Sequence, residues 1–92
     1  QKRVALANGV TFDSNYIYLA CGGYGLVVLD KNKKTAEGKP EVVAKKRCST
    51  KNSANYVTLD NGYIYVAYGQ SRLQVFKLID KVVNNGNTSY NK

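Results

Sequence analysis

The chain repeats itself. Residues 7–30, ANGVTFDSNYIYLACGGYGLVVLD, align without a gap on residues 54–77, ANYVTLDNGYIYVAYGQSRLQVFK, at a shift of 47 residues. Of 24 aligned positions 12 are identical: Ala7, Asn8, Val10, Thr11, Asp13, Tyr16, Ile17, Tyr18, Ala20, Gly22, Leu26 and Val28. Phe12 stands opposite Leu59 and Leu19 opposite Val66, swaps that keep apolar bulk. A fixed period constrains the fold more than any single motif. Each copy must form the same supersecondary unit and bury its faces against a neighbour.

Both copies read as strands. Val10-Thr11-Phe12 and Val57-Thr58-Leu59 are β-prone runs that end at Asp13-Ser14-Asn15 and Asp60-Asn61-Gly62. Those triplets are turn chemistry, because Asp and Asn bond nearby backbone and Asn or Gly tolerates positive φ. Tyr16–Ala20 and Tyr63–Ala67 follow, β-branched and aromatic, with no helix start signal. A turn comes next, Gly22-Gly23-Tyr24-Gly25 in one copy and Gly69-Gln70-Ser71-Arg72 in the other. The third strand is Leu26–Leu29, matched by Leu73–Phe76. In the second copy Leu73, Val75 and Lys77 share one face and Arg72, Gln74 and Phe76 the other, whereas Leu26–Leu29 is apolar on both faces and so expected to be the better buried. After Asp30 the polar stretch KNKKTAEGKP reads as a loop, and Glu41–Lys45 as a fourth, outer strand with a charged edge.

Three to four antiparallel strands every 47 residues is the size of a β-propeller blade. The expected architecture is therefore all-β, with a first blade over residues 1–47 and a second over 48–92 within one propeller domain. The second blade is expected to have an incomplete outer strand, because Ile79–Val83 runs into the polar stretch Asn84–Ser89. Two blades do not close a ring of the usual four to eight. Either further blades lie outside this chain or several chains assemble into one ring, and the first is the favoured expectation.

Gly25-Leu26-Val27-Val28-Leu29-Asp30, after a Tyr-rich strand and a glycine turn, resembles the signature of the LVIVD repeat family. The second copy keeps the frame but reads Leu73-Gln74-Val75-Phe76-Lys77, losing the terminal Asp. The resemblance covers Ala7 to Leu78. It implies a β-propeller on a bacterial or archaeal cell surface, exported or lipid-anchored, without an agreed enzymatic activity. The high Asn, Tyr and Lys content resembles exported proteins of Bacteroides-type bacteria. The function so implied is a non-catalytic module for protein–protein interaction or scaffolding in an envelope complex. Its partners would be further blades or another envelope protein. One alternative is a surface lipoprotein that binds a glycan, a peptide or a small nutrient. Another is a fragment of a propeller hydrolase or lyase.

Composition narrows the chemistry. Histidine is absent, so this chain holds no Ser-His-Asp triad, Cys-His pair or histidine-bound metal. No cofactor or metal site is expected. Eight tyrosines against two phenylalanines and no tryptophan suit half-buried strands, where the ring packs and the hydroxyl reaches a polar partner. Methionine is also absent and the chain opens on Gln1, which reads as a stretch from inside a longer gene product. No apolar run approaches the ~20 residues of a membrane-spanning helix, and no signal peptide is visible, although one could have been removed. Cys21 and Cys48 lie too far apart for a CxxC motif, and two readings stand: one disulfide, as export would permit, or two buried or idle thiols.

The net charge of +8 does not point to nucleic acid. Lys31, Lys33, Lys34 and Lys39 fall in one polar stretch and Lys45, Lys46 and Arg47 in another, as solvated loops or exposed strand faces do.

On a propeller, the loops between strands two and three share a face with the crossings between blades, here Ser49–Asn55. The candidate binding residues there are Tyr24, Arg72 and Gln70, an aromatic and a guanidinium being the best anchors; the other reading, which is favoured, is that Tyr24 packs against the next blade and Arg72 solubilises the turn. Asn8 and Asn55 recur before the innermost strand, either lining a site or bonding the backbone of the inter-blade turn, with the second reading favoured. Asp13 and Asp60 recur as hairpin caps rather than as calcium ligands.

Overall fold

A computed structural model describes residues 7–47, 53–69 and 72–86, with the side chain of Arg72 outside that description. These residues form eight strands and no helix. In chain order they are β1 (Gly9–Phe12), β2 (Tyr16–Ala20), β3 (Leu26–Lys34), β4 (Pro40–Lys46), β5 (Ala54–Asp60), β6 (Tyr63–Tyr68), β7 (Arg72–Ile79) and β8 (Val82–Asn85). They make two four-stranded antiparallel meanders, β1-β2-β3-β4 and β5-β6-β7-β8. The alignment of the two sequence copies carries over into pairing. Tyr18 stands opposite Val28 in the first sheet as Tyr65 does opposite Val75 in the second.

Turn chemistry sets these registers. In the first sheet Asp13 Oδ1 accepts hydrogen bonds from the backbone N–H of Asn15 (2.9 Å) and Tyr16 (2.8 Å), closing the β1–β2 turn. The matching turn of the second sheet instead places Asn61 and Gly62 at φ 52° and 82°. That is the backbone of a two-residue hairpin whose twist suits the flanking strands. Gly25 has φ 83°, and a Cβ there would collide with the Lys46 carbonyl oxygen. Only glycine lets β3 leave its turn so close to β4.

Two elements differ from the sequence expectation. The stretch after Asp30 is not a loop throughout: β3 runs on to Lys34 and β4 begins at Pro40, leaving a short turn at 35–39. Lysine stems are tolerated on a solvated hairpin beyond the core, and Thr35 closes the turn, its N–H donating to the Lys39 carbonyl at 2.7 Å. The outer strand of the second sheet starts later than Ile79: β7 runs on to that residue, and β8 begins at Val82 and is four residues long against seven for β4. The turn that leads into β8 puts Asp80 and Lys81 at φ 52° and 63°. It is a tight hairpin turn without glycine, which explains why its sequence does not announce it.

The sheets lie against each other and share one core. Tyr18, Ala20, Leu26 and Val28 from the first meet Val57, Ile64, Val66 and Phe76 from the second. Ile64 and Phe76 are 1% exposed, and burying side chains of this kind contributes about 1.5–3 kcal/mol each. As the sequence suggested, Leu26–Val28 are buried throughout, while Leu73 on the matching strand is 59% exposed. The two sheets do not close on themselves.

Candidate binding site

One end of the molecule collects the β2–β3 loop, the end of β4, the entry to β5 and the end of β6. The antiparallel meanders require this, since strands two and three of each sheet turn there. The β2–β3 loop is braced from within: the N–H of Cys21 donates to the Gly25 carbonyl (2.8 Å), and the N–H of Tyr24 to that of Cys21 (3.0 Å). Gly22, at φ 57°, then joins the sheets. Its N–H donates to the Ala54 carbonyl and the N–H of Ala54 donates back to the Gly22 carbonyl, both at 2.9 Å. Asn8 Nδ2 adds a third bond to the same Ala54 carbonyl at 3.1 Å.

These contacts sort the candidate residues. Asn8 is a structural link between sheets, its side chain committed to backbone. Asn55 is exposed, and its Oδ1 accepts from the Ser53 hydroxyl at 3.4 Å. Tyr24 is 54% exposed on the braced loop, with the Arg47 guanidinium carbon 5.7 Å from its ring centroid. That spacing lets the cation lie over the ring face, an attraction of about 0.5–1 kcal/mol at an exposed site. Arg72 places its backbone opposite Tyr68 at the end of β6, while its side chain, Gln70, Ser71 and residues 49–52 of the inter-sheet crossing lie outside the described residues.

Cys21 is a thiol with 1% exposure whose pKa burial pushes up, so it stays protonated. Cys48, its candidate disulfide partner, lies outside the described residues.

Arg47 is the functional candidate that the sequence reading missed. It closes the run Lys45-Lys46-Arg47, which reads as solvated charge. The pairing of Leu26 with Lys46 carries the next residue to the glycine turn, so the hairpin register was the signal that could have found it.

Asp13 and Asp60 lie at the other end of the strands, away from this loop cluster. Asp13 is fully engaged, accepting from the Tyr18 hydroxyl (2.8 Å) as well as from the turn amides. Among the described residues, no three His, Cys, Asp or Glu side chains group to hold a metal ion, and no helix is long and apolar enough to cross a membrane.

No family model, curated protein or solved structure matches the chain. The geometry of the loop cluster therefore carries the functional reading.

Proposed function

We propose that the chain is a non-catalytic β-propeller module of a bacterial cell surface that holds another envelope protein at its loop end. The observation that carries this is the Tyr24–Arg47 pair. An aromatic ring more than half exposed stands on a loop stiffened by its own backbone bonds and pinned to the second sheet. Such a ring offers a large contact area with few torsions to freeze, and tyrosine and arginine are enriched among residues that dominate interfaces. The blade reading and the surface address rest on the 47-residue repeat and on the LVIVD-like strand. The net charge of +8 suits an acidic partner surface and would speed its encounter.

The test is chemical cross-linking on native cells, followed by affinity measurement against the partner recovered. Tyr24→Ala and Arg47→Ala should each weaken that affinity about tenfold or more while leaving the thermal melt within a few degrees. Unchanged affinity in both variants would remove the loop end from the interface.

The exposure of the Tyr24 ring also favours a second reading, in which the same loop stacks against a sugar. Calorimetry across glycan classes separates the two: a saturable, Tyr24-dependent heat selects the sugar, and flat titrations dismiss it.

A further inference from the structure

The two sheets do not use the same face to meet. The first sheet buries Tyr18, Ala20, Leu26 and Val28. Moved by 47 residues, these positions are Tyr65, Ala67, Leu73 and Val75, identical in type at all four. Yet this second set lies on the outer face of its sheet, with Leu73 at 59% exposure against 0% for Leu26. The converse holds for the other face. The second sheet buries Val57, Ile64, Val66 and Phe76. Their counterparts Val10, Ile17, Leu19 and Leu29 face outward on the first sheet, with Val10 at 60% exposure against 2% for Val57. On the first sheet's outer face Val27, opposite Leu19 and Lys45, is nonetheless buried at 8% exposure.

The molecule thus shows both halves of its own internal interface, one at each side of the stack. From this we infer that a second copy of the chain docks head to tail, its first sheet seating on the outer face of the second sheet. A surface that already packs as Tyr18-Ala20-Leu26-Val28 against Val57-Ile64-Val66-Phe76 is offered again with the same residues or with apolar equivalents. Contacts of this heterologous kind use different patches on the two partners, so each copy keeps one free face for the next. Backbone groups repeat as well. Gly69 and Asn55 occupy the places of Gly22 and Asn8, and the side-chain nitrogens of Asn55 and Asn8 lie at similar distances, 3.9 and 3.6 Å, from where a Cβ would stand on the paired glycine. In the docked copy the acceptor corresponding to Ala54 is Ala7. Some positions depart: Cys21 stands for the buried Tyr68, and Tyr56 replaces Gly9, where a Cβ would come within 3.1 Å of the Asn55 carbonyl oxygen and Tyr56 Cα. At that point the docked copy must stand further off than β1 does from β5. This inference stands on the packing of the sheets and not on the Tyr24 loop.

The test is sedimentation and native mass spectrometry of the 92-residue chain, in about 0.15 M salt to screen its like charge. Self-association is expected at about 100 µM or below. Val10→Glu and Leu73→Glu each place a charge on one outer face at an exposed position, and circular dichroism checks that each still folds. Each variant alone should lose at least about tenfold in self-affinity, and an equimolar mixture should form a discrete 1:1 complex through the two intact faces. In the unmutated chain, amides of β1 and of β6–β7 should gain hydrogen-exchange protection as concentration rises, a readout that needs no substitution. A chain that stays monomeric at that concentration would overturn the inference. So would one variant that self-associates as well as the parent, because that result means like faces pair.

Discussion

At Asp13 a single carboxylate ties a turn to the core. Its oxygens accept from the amides of Asn15 and Tyr16 and from the hydroxyl of Tyr18, which is 4% exposed. Partial burial raises its pKa, but the Tyr18 hydroxyl, the two turn amides and the nearby Lys31 charge outweigh this and leave it below the usual 3.8. A carboxylate with a lowered folded pKa adds stability above its unfolded value, and that stability fades as pH falls through the folded one. Asp13→Asn should therefore cost about 1 kcal/mol near neutrality, where charge-assisted bonds are lost. Thermal melts between about pH 5 and pH 3 should fall less steeply for the variant than for the parent. Parallel slopes would mean that the carboxylate charge does not matter. The turn part of this role was legible in the sequence because an Asp before Ser-Asn or Asn-Gly bonds nearby backbone, whereas the Tyr18 bond was not. Arg47 was not legible, since its meeting with Tyr24 depends on the register of a hairpin and not on neighbours in the chain.

At the scale of elements, the strands that alternate or run apolar between glycine and asparagine turns could be read directly: β1, β2, β5, β6 and the core part of β3 and β7. What escaped were strand extensions that tertiary pairing stabilises without an apolar signal. Lys31–Lys34 continue β3 because Thr35 closes a tight turn beyond them, not because lysine favours strands. β8 depends on Asp80 and Lys81 adopting left-handed backbone, which costs side-chain-bearing residues energy. Lys81→Gly should remove most of that cost and raise stability by about 0.5–1 kcal/mol. Denaturant melts would show the gain, accompanied by slower amide exchange at Val83. A variant no more stable than the parent would show that pairing along β8, rather than its turn, governs the hairpin.

For the whole molecule, neither sheet is self-sufficient. Each meander has two apolar faces and covers only one of them with the other sheet, so folding of one depends on the other. Phe76→Ala should cost about 3–5 kcal/mol, a large share of what a domain of this size has. Exchange protection at Val28 should fall together with that at Val66, although Val28 belongs to the other sheet. Protection kept at Val28 alone would establish independent units. The overall architecture was foreseen as all-β with four strands per copy at best; the stacking of opposite faces was not, because a repeat fixes what each copy contains and not which side it turns to its twin. The join between the sheets has one more consequence. Gly22 and Ala54 hold each other through main-chain atoms alone. Given a residue at 22 that accepts left-handed backbone, the tip at 23–24 is free to drift in sequence without loosening the scaffold. A lineage carrying this fold can thus change the surface its loop end presents by point substitution while its framework stays as it was.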